Sequence, residues 1–287
     1  MAVFTAKNGL KFILTAIGII FVGALPSLFN GIKPNVGDYF YQIAEVFRQL
    51  AHPSQLAYVE NGMARPLFPQ ILGPYTYSMT IFFASFFLAL ILSLILTYVT
   101  FFLPAWLKRI VKFLAFIGES LPDLFIIVLF QLIVVWIYMK THVLVADVAA
   151  VWGHQIYLLP IICLSILPTF LFYRIMVLAC DEEMEKDYIE LAKSKGVKKQ
   201  ALLLRHILRN MLVTIFFHSK TIIWVMLSNL LIFEYLFNML GITLFMYDHP
   251  VPTIFTIAML MIFVPIFLLF TIAQFIIGRV TNQKVVG

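Results

Sequence analysis

Long stretches without a charged side chain constrain this sequence more than any other feature. No Asp, Glu, Lys or Arg occurs between Arg65 and Lys108, or between Asp248 and Arg279. A helix of about 20 apolar residues is long enough to cross the hydrocarbon core of a bilayer. Because lipid offers no hydrogen-bond partner to an exposed backbone, apolar runs of this length favour helices that satisfy their own amides and carbonyls.

Composition supports the same conclusion. Of the 287 residues, 62% are hydrophobic and 12% are charged, whereas soluble domains average about 25% charged residues. We therefore predict an all-α polytopic membrane protein with six transmembrane helices. The predicted spans are approximately residues 12–31, 78–103, 118–139, 152–173, 213–238 and 251–277.

The Lys and Arg residues predict how the helices are oriented. If both termini are cytoplasmic, sixteen of the 20 Lys and Arg residues lie in cytoplasmic segments, and only Lys33, Arg48, Arg65 and Lys140 lie outside. Basic residues accumulate in short cytoplasmic loops of membrane proteins. We therefore expect a multi-pass membrane protein with both ends on the cytoplasmic side. The net charge of +6 then reflects topology and membrane lipid, and no nucleic-acid partner is expected.

Two acidic residues need special surroundings, because the third predicted span is short. Only sixteen residues separate Asp123 from Lys140, which at about 1.5 Å per residue is less than the thickness of the hydrocarbon core. Glu119 and Asp123 are therefore expected at headgroup depth or facing protein.

In the external segment, Asp38 is a candidate helix start, with Phe40, Ile43, Phe47 and Leu50 on one stripe. This segment is interpreted either as a small outer cap or as an ordered loop.

Residues 181–209 form the one strongly charged segment. Its six acids lie at or before Glu190, and six bases with no acid among them follow. Burying such charges in hydrocarbon costs several kcal/mol each, so water surrounds most of the segment. Acids near the start favour a helix over 182–194, and Gly196 is suited to the left-handed turn that ends a helix. A second helix over 197–208 completes the predicted hairpin.

Part of this segment resembles a known pattern. Glu190-Leu191-Ala192-x-x-x-Gly196 is similar to the Glu-Ala-Ala-x-x-x-Gly loop of ABC importer permeases. The closer resemblance is to the B-type permease subunit of dipeptide, oligopeptide and nickel importers, which reads Tyr-x-x-x-Ala-x-x-Lys-Gly and then Arg-His-x-Leu-Arg-Asn. The matching positions are Tyr188, Ala192, Lys195, Gly196, Arg205, His206, Leu208, Arg209 and Asn210. Weaker matches extend over roughly residues 78–275.

The resemblance implies a fold similar to type I ABC importer permeases, whose hairpin docks as a coupling helix on a cytoplasmic ATPase. It implies four kinds of partner: a second, C-type permease subunit forming a heterodimer, two ATPase subunits, an extracytoplasmic solute-binding protein and lipid. ATP and Mg²⁺ would bind the ATPases, leaving this chain without cofactor, metal or catalytic residue. The implied coupling residues are Tyr188, Glu190, Leu191, Ala192, Lys195, Gly196, Arg205 and Arg209. Glu234, in the fifth span, is a candidate for the translocation path or its gate.

The predicted division of the chain follows from these assignments. Residues 1–31 form the N-terminal end and first span, 32–77 an extracytoplasmic segment, and 78–287 a permease core that contains the coupling loop 181–209. Peptides are the cargo that the resemblance favours. The alternatives are a nickel-chelate permease of the same family, a gradient-driven secondary transporter, and a scaffold or enzyme subunit without a transport path. The sequence has no Gly-x-x-x-x-Gly-Lys-Ser/Thr phosphate loop of its own.

Overall fold

A computed structural model describes residues 2–30, 33–52, 56–60, 62–151 and 153–281. Helices dominate this part of the chain, which confirms the predicted all-α class. The α-helices are α1 (Ala2–Gly23), α2 (Val36–Ala51), α3 (Leu72–Phe102), α4 (Ala105–Ser120), α5 (Asp123–Thr141), α6 (Leu158–Met184), α7 (Asp187–Ser194), α8 (Lys199–Leu202), α9 (Leu208–Leu236), α10 (Ile242–Asp248) and α11 (Pro252–Thr281). Two short antiparallel hairpins pair β1 (Phe29–Asn30) with β2 (Lys33–Pro34) and β3 (Ala57–Glu60) with β4 (Met63–Pro66).

Five helices within the described residues are long and apolar enough to cross a membrane: α3, α5, α6, α9 and α11. The chain is therefore a multi-pass membrane protein, and the last five predicted spans are confirmed with shifted ends. The largest shift is in the fourth span, predicted at 152–173, because α6 begins at Leu158 and continues to Met184. The first span, predicted at 12–31, overlaps α1, which ends at Gly23. That α1 crosses the membrane stays a prediction.

Two compact units divide the chain: residues 1–79 with 240–271, and residues 80–239 with 272–287. In the first unit, α2 packs on α1 through a small apolar cluster of Ile20, Ala24, Ile43 and Val46, flanked by Tyr39 and Leu50. The predicted stripe on α2 was partly wrong, since Phe40 and Phe47 are exposed. The predicted start was also wrong, because Asn35 caps the helix by accepting a hydrogen bond from the Asp38 amide at 3.2 Å.

The described part of the predicted external segment contacts α10 of the same unit. The Tyr58 ring contacts those of Phe245 and His249, with centroids 5.5 Å and 4.8 Å away. Further along the chain, the Ile242 amide donates to Ser78 Oγ at 2.8 Å. Both contacts hold α10 against residues that precede or begin α3.

In the second unit, the third predicted span includes the last three residues of α4 and most of α5. The break falls at Leu121 and Pro122, which are both extended, because a residue that precedes proline is disfavoured in a helical conformation. The predicted helix start at 118 was therefore wrong. Both nearby acids face protein: Glu119 pairs with Arg174 of α6 at 3.2 Å, and Asp123 accepts a hydrogen bond from Asn229 of α9.

One close approach in the first unit depends on a glycine. A Cβ added at Gly23 of α1 would lie 2.0 Å from Thr256 Oγ1 and 3.2 Å from Thr256 Cβ on α11. Threonine is branched at Cβ and has few rotamers with which to escape. Gly18 lies on the same helix, and a Cβ there would meet nothing within 4 Å.

We predict that Gly23→Ala destabilises the folded protein by about 1–3 kcal/mol, the usual cost of overpacking a close contact. Gly18→Ala should be neutral or stabilise by up to about 1 kcal/mol, because alanine favours helix. The measurement is the fraction of monodisperse protein that survives a heating series in detergent. Equal survival of the two variants would contradict the close packing of α1 on α11.

Candidate functional site

The site lies in the connection between α6 and α9, residues 185–207, called the charged hairpin below. The predicted helix over 182–194 was wrong at its start. Residues 182–184 are the last turn of α6, the chain breaks at Glu185 and Lys186, and α7 begins at Asp187. The prediction for Gly196 is confirmed, since its φ is +73°. Its amide donates to Lys193 O at 2.9 Å, and the Val197 amide donates to Ala192 O at 3.1 Å, the pair of bonds that defines a Schellman helix end.

The second predicted helix, 197–208, is not a separate element. The chain turns into α8 at Lys199, passes through a π-helical turn over Leu203–Ile207 and continues without interruption as α9. Neither glycine nor proline occurs between Lys199 and Leu236, so no residue favours a stop. The charged hairpin is therefore one short helix, a glycine turn and an extension of a membrane helix.

A buried carboxylate organises the start of the charged hairpin. Glu183 is only 8% exposed, and its carboxylate accepts hydrogen bonds from Lys186, Tyr188 and the Asn210 amide, the last at 3.1 Å. The Asn210 amide also donates to the Tyr188 hydroxyl at 3.0 Å. We call Glu183, Tyr188 and Asn210 the polar hub. It joins the end of α6, the first turn of α7 and the first turn of α9.

The polar hub controls the ionisation of Tyr188. Burial, reinforced by the hydrogen bond to Glu183, raises the pKa of Tyr188 from 10.0 to about 12. A group whose pKa is raised on folding contributes stability below its unfolded pKa and loses that contribution as the pH rises through the folded value. The Tyr188 contribution is therefore complete below pH 10 and lost between pH 10 and about 12. At physiological pH the hydroxyl remains a donor.

The predicted coupling residues fall on two sides of α7 and its turn. Glu190, Lys195 and Gly196 are exposed, as is Leu191 at 55%. On the opposite side, Ala192 is buried with Ile189. Tyr188 was predicted to fill a groove on a partner, but its hydroxyl is turned into the polar hub. The accessible part of the predicted set on α7 and its glycine turn is therefore the patch of Glu190, Leu191, Lys195 and Gly196, called the exposed patch below.

Of the two arginines in the predicted coupling set, the structure describes the side chain of Arg209. Arg209 is exposed and its Nε donates to Val280 O at 2.8 Å, near the end of α11. It therefore ties the start of α9 to the C-terminal part of the same unit. The Arg205 side chain lies outside the described residues.

Glu234 was predicted to face a polar cavity or a partner helix in the translocation path. It lies near the end of α9 and is completely buried, with an exposed fraction of 0%. The chain folds back immediately after it, with the Met239 amide donating to Glu234 O at 2.8 Å. A role for Glu234 in the path stays a prediction.

Sequence reasoning missed Glu183 and did not assign a role to Asn210. Glu183 stands in a run of acids that looks uniformly solvated, so its burial has no sequence pattern of its own. Asn210 directly follows Arg209 at the point where charge gives way to an apolar run. A polar amide at that border was the only available indication of a contact with the charged segment.

Comparison with known proteins places the chain in a family. The model of the family described as "binding-protein-dependent transport system inner membrane component" matches residues 89–282. Because this match covers more than half of the sequence, the chain belongs to that family. The resemblance to importer permeases predicted from the sequence is thereby confirmed.

Two relatives illustrate the range of the family. The metal-staphylopine import system permease protein CntB of Staphylococcus aureus is 26% identical over 183 residues, which is 61% of this chain and 55% of the relative. A putative peptide transport system permease protein of Brucella abortus is 27% identical over 142 residues, which is 48% of this chain and 45% of the relative. The chain thus matches about half the length of each relative.

We predict that Glu183→Leu loosens α7. The variant removes the carboxylate that accepts hydrogen bonds from Tyr188 and Asn210, so that only the bond from Asn210 to the Tyr188 hydroxyl remains in the polar hub. Losing a hydrogen-bond partner of a buried polar group costs about 1–3 kcal/mol. The matched control is Glu185→Leu, since Glu185 is exposed and lies outside the polar hub. Amide hydrogen exchange over residues 187–194 should accelerate in Glu183→Leu and not in Glu185→Leu. The same exchange rate in both variants would show that the polar hub does not hold α7.

Proposed function

We propose that this chain is the permease subunit of an ATP-driven ABC importer for peptides and forms half of the translocation path. Its exposed patch would dock on a cytoplasmic ATPase as a coupling helix. The observation that carries the proposal is the exposed patch itself, on a short helix inserted between two membrane helices. Family membership supports transport, and the Brucella relative carries a peptide-transport name.

The geometry supports a lever. A docked helix transmits force only if it cannot rotate freely on its own chain, and the polar hub joins α7 to both α6 and α9. Ile189, with an exposed fraction of 0%, packs the inner side of the same helix. Movement of the exposed patch would therefore be passed directly to two membrane helices, which then rock between inward and outward access.

The proposed assembly contains four further subunits. A second, C-type permease completes the path, two ATPase subunits bind ATP and Mg²⁺, and an extracytoplasmic binding protein delivers the solute. The chemistry of ATP hydrolysis then lies outside this chain. In this arrangement the charged hairpin and both termini face the cytoplasm of a bacterial cell, as the distribution of Lys and Arg predicts.

A metal chelate is the second candidate cargo. The observation that favours it is the match to the metal-staphylopine permease, which extends over more residues than the match to the Brucella protein. Membership in a binding-protein-dependent family argues against a carrier driven by an ion gradient alone. Uptake of a radioactive tripeptide and of a radioactive nickel–histidine complex by the complete importer distinguishes the two cargoes.

We predict that Gly196→Val strongly reduces uptake and transport-stimulated ATP hydrolysis while leaving the chain inserted. At φ +73° a left-handed conformation costs an ordinary L-residue about 1–2 kcal/mol and a β-branched residue more. Gly196→Asn is the matched control, because asparagine tolerates this conformation. Glu190→Lys should reduce uptake for a different reason, by reversing a charge on the exposed patch.

Copurification provides the direct check. A soluble ATPase subunit should accompany the unaltered chain and Gly196→Asn in detergent, and much less of it should accompany Glu190→Lys. Full uptake by both Gly196→Val and Glu190→Lys would reject the lever role. If no ATPase subunit accompanies the unaltered chain, the assignment as an ABC importer permease fails.

A further inference from the structure

A groove lined by both polar and apolar side chains, called the polar groove below, runs along the membrane helices α6 and α9, inside the second unit. Its volume is about 540 Å³, and its hydrogen-bonding side chains are Arg174, Glu182, Thr214, His218 and Thr221. Ligand sites in proteins typically have volumes of about 300–1,000 Å³. The groove is therefore large enough for a small solute.

The chemistry of this groove differs from that of a neighbouring one. A second groove, between α3 and the start of α9, is lined almost entirely by aliphatic side chains, including Leu94, Ile95, Leu204 and Leu208, and such a surface suits lipid tails. Arg174 and His218, by contrast, lie about 15 Å from the near ends of α6 and α9, counting ten residues at about 1.5 Å each. Ionisable side chains on membrane helices face water, a water-filled cavity or protein and not lipid.

Arg174 forms an ion pair with another helix. Glu119 of α4 contacts its Nη2 at 3.2 Å, yet the Arg174 side chain is 62% exposed and lines the groove. A guanidinium carries five donors in a planar fork that matches a carboxylate. His218 also lines the groove and, in any tautomer, has a ring N–H to donate.

We propose that the polar groove is a transit site for the carboxylate end of a small zwitterionic solute. Arg174 and His218 donate hydrogen bonds to the solute carboxylate, and the Glu182 carboxylate accepts hydrogen bonds from its ammonium group. Thr214, which lies between these levels on α9, binds the polar atoms between the two ends, and Thr221 lines the groove beyond His218. The inference rests on the proposed transport function and adds to it a site and a class of ligand.

The spacing of the charges also sets a length. Arg174 and Glu182 are eight residues apart on α6, or about 12 Å along the axis, and both line the groove. An extended peptide covers about 3.3–3.6 Å per residue. A peptide of about three residues therefore spans the distance from guanidinium to carboxylate.

The test uses the complete importer, purified with its copurifying subunits and reconstituted in proteoliposomes. Uptake of radioactive trialanine is compared with uptake of its C-terminal amide. Arg174→Gln should lower trialanine uptake by at least about tenfold, because it removes a charge-assisted hydrogen bond to the carboxylate, and should leave amide uptake unchanged. The affinity of the binding protein for each peptide is measured separately. Because that subunit is the same in all variants, a difference between variants then reports on the permease.

Two control variants separate solute recognition from loss of the ion pair. Glu119→Gln also breaks the pair but keeps Arg174, so it should retain the preference for trialanine. The double variant Glu119→Gln/Arg174→Gln leaves no unpaired charge and should behave like Arg174→Gln. Equal losses of trialanine and amide uptake in Arg174→Gln, or a lost preference in Glu119→Gln, would overturn the proposal.

A labelling experiment asks whether water or protein fills the groove. Thr221→Cys should react with a membrane-impermeant thiol reagent, and trialanine should slow the reaction. The native Cys163 and Cys180 are buried, with exposed fractions of 1% and 4%, and the unaltered importer measures their background. No reaction at position 221 in any nucleotide state would show that a partner helix covers the groove and would overturn the proposal.

The outcomes also separate this inference from the function on which it rests. If the unaltered importer takes up no solute when supplied with ATP, the proposed function fails. If it transports trialanine and Arg174→Gln transports it equally well, only the transit site fails. If it transports nickel–histidine and not trialanine, loss of nickel–histidine uptake in Arg174→Gln would support the same site. The carboxylate bound there would then belong to a metal chelate and not to a peptide.

Discussion

A charge on a membrane helix or beside one has to reach water or meet another polar group of the protein, and this requirement organises the second unit. Glu119 meets Arg174, and Asp123 meets Asn229. Both pairs join an acid near the α4–α5 break to a helix that flanks the charged hairpin. The cost of an unpaired charge in hydrocarbon thus ties α4, α5, α6 and α9 to one another at defined levels. Apolar packing alone would leave these helices freer to slide.

The same requirement shapes the border between membrane and water. Glu183 stands at the end of α6, where a lone buried carboxylate would be costly. Its partners Tyr188 and Asn210 come from the two segments that follow, so satisfying one carboxylate also fixes the direction in which α7 leaves α6. The result is a short helix with one side joined to two membrane helices and the other side exposed. The proposed coupling role needs both properties.

The local elements of the charged hairpin were only partly predictable. Gly196 was assigned correctly because a glycine after a run of helix formers is the usual way to end a helix. The start of α7 was misplaced because the acids at 182–185 suit the first turn of a new helix as well as the last turn of an old one. The predicted second helix was an error of the same kind. It was treated as separate from α9 because its residues are charged, but no helix-breaking residue lies between the two. On α2, the stripe that packs inward differs from the predicted one because Tyr39 and Val46, not Phe40 and Phe47, face α1.

By itself, the sequence determined that the chain lies in a membrane as a helical bundle, that one loop is wet and charged, and that a glycine turn closes its short helix. These features follow from composition and from short-range sequence, because apolar length and the freedom of glycine act locally. Only the tertiary structure decided which charges are buried, which of the coupling residues remain exposed, and that Arg174, Glu182 and His218 share a groove. Those outcomes depend on residues up to about a hundred positions apart meeting in space. A linear pattern cannot show such meetings, because the same acid is solvated or buried according to the helix that packs against it.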